Sequence, residues 1–221
     1  MKPSIFIAIP NLGNIATDNA MNLLAWFASG RYGLKVFAPQ NVRPWDRARN
    51  LCHRQFLSER YEYLFFLDAN TIPHPSVLDR LLRHDLPMVA GVVQIWQEHL
   101  MPMSFRWDGL AKHFEDPASV DEVIGAGYKP HHGEGLQEVD VTTCACTLIK
   151  REVMERVRRP AFAFTHTDEF GTEGLSEDFY FCDGVRLAGY PIAVDFDAVC
   201  DHDIHARSLA VNRDLVSVNE R

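Results

Sequence analysis

The sequence predicts a single α/β domain whose mostly parallel sheet is flanked by helices. Short segments that are apolar along their whole length alternate with amphipathic segments over residues 1–93. Strands of that type are typical of a sheet covered on both faces, and helices between them indicate parallel connections. The chain has 221 residues, of which 47% are hydrophobic, and this is enough for one sizeable core.

The first half alternates strand and helix in a regular order. The predicted elements are strands at 4–9, 34–38, 63–68 and 87–93, with helices at 17–29, 46–60 and 75–84 between them. The clearest buried strand is YLFFLD at 63–68. In the first helix Asp18 is the predicted cap, and the apolar side consists of Met21, Leu24, Ala25 and Ala28.

The second half has a different pattern. Residues 94–140 are rich in Gly, Pro, His and Trp and have weak periodicity, which predicts an irregular or antiparallel excursion. After it the predicted elements are a strand at 141–150, a helix at 150–157, a loop at 165–175, a helix at 176–189 and a last strand at 190–196. The segment CDHDIH at 200–205 then follows that last strand.

Composition and motifs exclude several function classes. A formal net charge of −8 argues against broad nucleic-acid binding, which needs a basic surface. The sequence contains neither GxGxxG nor GxxxxGK[ST], so a dinucleotide oxidoreductase and a P-loop phosphotransferase are not supported. No apolar run approaches the ~20 residues of a membrane helix. The five cysteines show no zinc-ribbon spacing and predict a reducing compartment, the cytoplasm.

Polar residues directly after the strand at 63–68 form the first candidate site. Asp68 and Asn70 stand where ligands bind in open α/β sheets, at the carboxyl end of a strand. A carboxylate there can bind a ribose hydroxyl or a divalent cation such as Mg²⁺ or Mn²⁺. The alternative is an Asx-turn or a helix cap ahead of Pro73.

Two adjacent carboxylates form the second candidate. Glu177 and Asp178 stand at a predicted helix start, where the helix dipole stabilises negative charge, so both could be capping residues. The functional interpretation is that one of them faces a cleft as a general base.

Histidines and an arginine pair complete the set. His202 and His205 can bind a metal when neutral, with Asp201 and Asp203 holding the rings, although a solvated turn is the alternative. Arginines suited to phosphate binding lie near or within the second helix, where exposed helical arginine is the plainer explanation. These residues are Arg47 and Arg49, followed by Asn50.

In this order the segments resemble the nucleotide-diphospho-sugar glycosyltransferases of the GT-A fold, in particular the short family-2-like enzymes of bacteria and their viruses. The strings that carry the resemblance are ARN at 48–50, FFLDANTIPHP at 65–75, MVAGVV at 88–93, TLIKREVME at 147–155, GLSEDFYFCDGVRLAGYPIAVD at 174–195 and CDH at 200–202. They span most of the chain. The resemblance implies one domain with a nucleotide-binding half at 1–93, an acceptor-side half at 94–205 and a tail at 206–221.

The resemblance also implies a division of labour on the donor side. Asp68 and Asn70 match the DxD motif, which holds the diphosphate through Mn²⁺ or Mg²⁺, and His202 matches a further ligand, with His205 as its alternative. Asn70 replaces an aspartate, and a neutral amide lowers the charge that faces the cation. The nucleotide would be surrounded by Pro10, Asn11, Arg49 and Asn50.

On the acceptor side, Glu177 and Asp178 match the ED motif, whose aspartate removes the acceptor proton in inverting members. The implied reaction moves a sugar from a nucleoside diphosphate sugar to a hydroxyl of a glycan, a lipid-linked sugar, a protein or a modified nucleobase in DNA. The alternatives are a metal-dependent phosphohydrolase using residues 201–205 and a noncatalytic module that binds sugar nucleotides.

Two local basic sets bear on a polyanionic acceptor such as DNA. They are Arg43, Arg47, Arg49, Arg54 and Arg60, and Lys150, Arg151, Arg156, Arg158 and Arg159. Solvated helix faces are the alternative explanation for both sets.

Overall fold

The computed structural model describes residues 2–96, 100–107, 128–166 and 174–203. The helices are α1 (Thr17–Ser29), α2 (Trp45–Ser58), α3 (Val77–Arg83), α4 (Arg151–Arg156) and α5 (Glu177–Leu187). The strands are β1 (Ser4–Ala8), β2 (Gly33–Phe37), β3 (Tyr63–Leu67), β4 (Thr71–Pro73), β5 (Met88–Trp96), β6 (Leu100–Pro102), β7 (Ser104–Trp107), β8 (Tyr128–Pro130), β9 (Leu136–Val139), β10 (Val141–Thr142), β11 (Cys146–Lys150), β12 (Thr165–His166), β13 (Gly174–Leu175) and β14 (Ile192–His202).

The central sheet has the strand order β2-β1-β3-β11-β5-β14-β4. β1 runs parallel to β2 and β3, and β5 runs parallel to β14. β11 lies antiparallel between β3 and β5, so β1, β2, β3, β5 and β14 all point the same way. The predicted fold class, an α/β domain with a mostly parallel sheet flanked by helices, is therefore confirmed. The carboxyl ends of these five strands lie along one edge.

Both faces of this sheet are buried, which explains the continuously apolar strands. In β1, Phe6 packs in the cluster that contains Phe56 of α2 and Phe181 of α5. Its neighbours Ile5 and Ile7 pack in the opposite cluster, with side chains of α1 and α3. Because successive strand residues point to opposite faces, a strand between two helical layers needs apolar residues at every position.

Helix α1 has the predicted bounds but not the predicted orientation. Its buried residues are Asn19, Asn22 and Trp26, whereas Met21 and Leu24 are 59% and 63% exposed. Ala16 precedes the helix and no side chain caps it, so Asp18 is not the cap. The inward polar face has a physical reason, because the main-chain carbonyls beneath it need hydrogen-bond donors.

The described parts of the 94–140 excursion are antiparallel, as predicted. β7 pairs with β8 and β10, β6 pairs with β5, and β9 pairs with β14. Residues 97–99 and 108–127 of the excursion lie outside the described residues. Of the predicted loop at 165–175, the ends form the antiparallel pair β12–β13, and residues 167–173 lie outside the described residues.

The last strand is longer than predicted, and this corrects the placement of CDH at 200–202. These residues lie within β14, paired antiparallel with β4, and not in a turn after the strand. The register shifts between Asp195 and Val199. Such an irregularity breaks the alternation of side chains and hides the strand from a periodicity search. Within the described residues, no helix is long and apolar enough to span a membrane.

Candidate active site around Arg49

The turn after β3 is fixed on both sides by hydrogen bonds. The backbone N–H of Asp68 donates to Ala145 at 2.8 Å, and Asn19 Nδ2 of α1 lies 3.2 Å from the carbonyl oxygens of Asp68 and Ala69. Asn22 and Trp26 donate further along the same segment, to Pro73 and Pro75. The sequence signal that could have found this support is the helical spacing of Asn19, Asn22 and Trp26.

Arg49 joins three carboxylates that lie far apart in sequence. Its guanidinium contacts Asp68 twice, with Nη1 to Oδ1 and Nη2 to Oδ2 both 3.2 Å. Its Nε donates to Glu177 Oε1 at 3.3 Å and lies 3.5 Å from Asp178 Oδ1. Arg49 is 3% exposed, and its guanidinium lies over the ring of Phe66. The arginine that sequence analysis assigned to a phosphate is thus engaged by carboxylates.

This cluster contains more carboxylates than cations. Burial alone would lower the pKa of Arg49, but the negative charges of Asp68 and Asp178 outweigh it and raise that pKa well above its usual value. Burial raises the pKa of Glu177 above its usual value, and the charge of Asp178 raises it further against the effect of Arg49. Three acidic side chains therefore share one permanently charged guanidinium.

Asp178 is held by Arg49 through an ion pair rather than by a hydrogen bond to Oδ1. Its Oδ1 is buried, lies 3.5 Å from Arg49 Nε and accepts no hydrogen bond within the described residues. Burial raises the pKa of the neighbouring Cys144 thiol, and the charge of Asp178 raises it further, so that thiol stays protonated. A carboxylate in this position can accept a proton from a bound hydroxyl group.

His202 lies beside the turn that carries Asp68 and Asn70. In the β14–β4 ladder His202 pairs with Thr71, whose N–H donates to the carbonyl of Asp68 at 3.0 Å. The N–H of Asp203 donates to the carbonyl of Asn70 at 2.8 Å. His205 lies outside the described residues.

Asp68, Asn70 and His202 are of residue types that could hold a divalent cation together with a diphosphate. His202 Nδ1 is buried without a hydrogen-bond partner among the described residues, and Asp68 is 28% exposed in its side chain. No group of three or more His, Cys, Asp or Glu side chains in the described ranges could hold a metal ion. Asp68, Asn70 and His202 would supply carboxylate, amide and imidazole donors, and Mg²⁺ sites commonly combine one or two carboxylates with substrate phosphates.

The remaining predicted residues lie nearby but are used by their own loops. Asn11, in the loop after β1, donates to Ile9 and accepts from the N–H of Gly13. Asn50 donates to Phe162 at 2.7 Å and accepts from the N–H groups of Ala161 and Phe162. Pro10 is buried at the end of β1. The structure therefore gathers Asp68, Glu177 and Asp178 around Arg49, with Asn70 beside His202.

Two solved structures resemble this chain over most of its length. The crystal structure of A197 from STIV matches 91% of this chain and 86% of that chain, with a TM-score of 0.56 and 19% identity. The crystal structure of GalNAc-T7 with UDP, GalNAc and Mn²⁺ matches 90% of this chain but 43% of that chain, with a TM-score of 0.51 and 10% identity.

The sequence itself has no such counterpart, since no protein-family model and no curated protein matches it. At identities of 19% and 10% the two likenesses show the fold. The chain thus has the GT-A-like fold of a structure that was solved with a nucleotide, a sugar and Mn²⁺.

Proposed function

We propose that this protein is a glycosyltransferase that moves a sugar from a nucleoside diphosphate sugar to a hydroxyl acceptor. The observation that supports it best is the convergence of Asp68, Glu177 and Asp178 on Arg49 at the carboxyl edge of the sheet. Ligands of open α/β sheets bind at this edge. In this proposal the turn after β3 forms the donor side, and the first turn of α5 forms the acceptor side.

On the donor side, Asp68, Asn70 and His202 would hold a divalent cation. A bound Mn²⁺ or Mg²⁺ would neutralise charge on the diphosphate as it leaves. Arg49 keeps the Asp68 carboxylate in one orientation through two contacts of 3.2 Å. Asn19 fixes the backbone of the same turn, so the donor side is organised before a ligand arrives.

On the acceptor side, Asp178 would act as the general base. The acceptor oxygen forms a bond to the sugar carbon as that carbon separates from the diphosphate oxygen, and the hydroxyl proton passes to the Asp178 carboxylate. Glu177 accepts a hydrogen bond from Arg49 and acts as a positioning residue. Arg49 holds both carboxylates close to the reacting groups and keeps a positive charge beside them.

The acceptor itself would contact the antiparallel excursion. Phe179, in the first turn of α5, lies 5.2 Å from Phe105 of β7 and 5.0 Å from Tyr128 of β8, measured between ring centroids. The excursion is thereby packed next to Asp178. Several members of the two basic sets are engaged internally: Arg49 with Asp68, Lys150 with Asp85, Arg151 with backbone carbonyls and Arg158 with Asp183. These pairings remove four of the ten basic side chains from a role in binding a polyanionic acceptor.

The test is a panel of nucleoside diphosphate sugars, each with and without Mn²⁺, scored by thermal shift and by release of nucleoside diphosphate. A ligand that binds the folded chain raises its free energy of unfolding, by about 2.7 kcal/mol when the ligand concentration is 100 times the Kd. The melting temperature rises with it. We expect one sugar nucleotide both to raise the melting temperature and to release nucleoside diphosphate. The Asp68→Asn variant should lose the thermal shift. The matched control is Asp79→Asn in α3, whose carboxylate pairs with Arg31 and Tyr32 away from the site.

Two outcomes would contradict the proposal. Binding of a sugar nucleotide without transfer or hydrolysis would indicate a noncatalytic module. Phosphate release from simple phosphoesters, with no response to sugar nucleotides, would indicate a phosphohydrolase.

A further inference from the structure

Three buried polar atoms near the turn after β3 lack a hydrogen-bond partner. They are Asn19 Oδ1, Thr71 Oγ1 and His202 Nδ1, and none of them has a partner among the described residues. Asn19 and Thr71 are both 0% exposed, so bulk water does not reach their side chains. Folded proteins leave few buried polar atoms unpaired, so three of them around one turn need a physical explanation.

The strand pairing places these atoms on one side of the sheet. His202 lies directly opposite Thr71 in the β14–β4 ladder, and opposed residues of an antiparallel pair share a face. Side chains two positions apart in a strand also share a face, so His202 points to the same side as Cys200. Cys200 packs in the cluster that contains Trp26 of α1. Thr71 and His202 therefore point toward the layer of α1, whose buried face carries Asn19.

Asn19 and Thr71 meet at one oxygen atom. The carbonyl of Asp68 accepts a hydrogen bond from the backbone N–H of Thr71 at 3.0 Å and lies 3.2 Å from Asn19 Nδ2. Asn19 Nδ2 is also 3.2 Å from the carbonyl of Ala69. Two carbonyl acceptors fix which end of the amide is the nitrogen, so Asn19 Oδ1 faces away from them and can only accept a hydrogen bond.

One assignment of hydrogens satisfies the three atoms in a direct chain. Asn19 Oδ1 has no hydrogen and the Thr71 hydroxyl has one, so the hydroxyl donates to Asn19. The hydroxyl oxygen then accepts from His202, whose Nδ1 carries the proton. Opposed residues of an antiparallel pair have Cβ atoms about 4.5–5.5 Å apart, a gap that a hydroxyl spans after rotation about χ1 of Thr71.

We propose that Thr71 is a positioning residue, which links Asn19 to His202 and holds the imidazole in the tautomer with its proton on Nδ1. Nε2 is then the unprotonated nitrogen, the one that can bind a cation. The tautomer follows from contacts of the unliganded chain and does not depend on the glycosyl transfer suggested above. The use of Nε2 as a ligand of Mn²⁺ does rest on that proposed function.

¹⁵N NMR of the imidazole rings tests the tautomer in the unliganded full-length protein. At about pH 8 an ordinary histidine is neutral, and its protonated and unprotonated nitrogens give separate signals. The chain has ten histidines, and the signals of His202 are those that His202→Gln removes. We expect a protonated Nδ1 in the unmodified chain and in Thr71→Ser, which keeps the hydroxyl. Thr71→Val removes the hydroxyl at nearly the same volume and should move the proton toward Nε2.

Thr147→Val is the matched control. Thr147 is also 0% exposed, and its hydroxyl donates to the carbonyl of Thr143 at 2.8 Å, so this variant loses a buried hydroxyl elsewhere in the sheet. It should leave the signals of His202 unchanged.

Titration with Mn²⁺ alone gives a second readout. Thr71→Val should weaken Mn²⁺ binding about 10–100-fold, the usual cost of losing the group that orients a metal-binding histidine. Thr71→Ser and Thr147→Val should bind Mn²⁺ as the unmodified chain does.

The two readouts separate failure of the tautomer from failure of the proposed function. A proton on Nε2 in the unmodified chain, or a tautomer that Thr71→Val leaves unchanged, would overturn the positioning role of Thr71. Mn²⁺ binding that is equal in all variants, or absent from all of them, would overturn the use of Nε2 as a cation ligand. In that case a tautomer that responds to Thr71→Val still stands, and the proposed function loses its cation site.

Discussion

Two buried ionic clusters lie in this domain, and their charges are balanced differently. In the first, Arg49 faces Asp68, Glu177 and Asp178. In the second, the fully buried Asp195 of β14 accepts hydrogen bonds from Arg80 and pairs with His84 at 2.7 Å, while the more exposed Asp197 also contacts Arg80 at 3.0 Å. One cluster has a surplus of carboxylates, and the other gives its buried carboxylate two partners.

The pKa shifts of the two clusters have opposite signs. Burial would raise the pKa of Asp195, but the hydrogen bonds from Arg80 and His84 outweigh it, and the pKa lies below its usual value. Burial raises the pKa of Glu177, with the charge of Asp178 acting in the same direction. A buried carboxylate with enough hydrogen-bond donors stabilises the folded state. Carboxylates that crowd around one cation repel one another and lower the free energy of unfolding. Such crowding is typical of functional sites.

The largest difference between the two clusters should come from removing the Asp178 carboxylate at the candidate site. We expect Asp178→Asn to lower turnover by about 10²–10⁴-fold, the usual contribution of a general base. The melting temperature should stay the same or rise, because the change removes one negative charge from a crowded cluster. Diphosphate release and thermal unfolding of the same preparation measure both quantities.

Donor binding provides the control for that variant. Asp178→Asn should leave the Kd for the nucleoside diphosphate close to that of the unchanged protein, because Asp68 and His202 remain. Equal losses of turnover, nucleotide affinity and stability would instead show that Asp178 supports the structure of the site.

The opposite pattern is expected at the second cluster. Asp195→Asn leaves Arg80 and His84 without their buried partner, and we expect a loss of about 3 kcal/mol in the free energy of unfolding. This corresponds to a fall of roughly 6–12 °C in melting temperature. Turnover per folded molecule should not change. Urea unfolding measures the loss, and Asp197→Asn is the control, because Asp197 is 56% exposed in its side chain. A loss of turnover with normal stability would contradict the assignment.

Much of the fold follows from the sequence because apolar strands between helices have few alternatives. The bounds predicted for β1, β3 and α1 agree with the structure to within one residue. The orientation of α1 could not be predicted from its apolar residues, since its inward face is chosen by the carbonyls of 68–75. The length of β14 was missed because its register shift interrupts the alternation of side chains.

The candidate site was predictable in its location and less so in its contacts. Asp68, Asp178 and His202 were expected at one edge because each lies near the end of a strand or the start of a helix, and the structure brings their backbones to that edge. Arg49 contacts Asp68 and Glu177, which lie 19 and 128 positions away in the sequence. No local sequence pattern encodes contacts of that kind. Asn19 was missed because the inward face of α1 was predicted from its apolar residues and not from the helical spacing of Asn19, Asn22 and Trp26.

The smallest expected effect, and the finest test of the contrast, is in the pH dependence of stability. A carboxyl group whose pKa is raised by folding binds more protons in the folded state, so stability falls as pH rises through the window above its usual value of 4.5. Glu177 should therefore contribute more stability as pH is lowered toward its usual value of 4.5. Asp195 has the opposite sign, and its contribution is lost only as pH falls below its usual value of 3.8.

Glu177→Gln should remove the first effect, which is at most about 1.4 kcal/mol per pH unit, and leave the second. Urea unfolding across this range measures the slope, with Glu152→Gln as an exposed control on α4. If Glu177→Gln leaves the slope unchanged, the crowding of carboxylates around Arg49 does not cost stability, and the distinction between the two clusters fails.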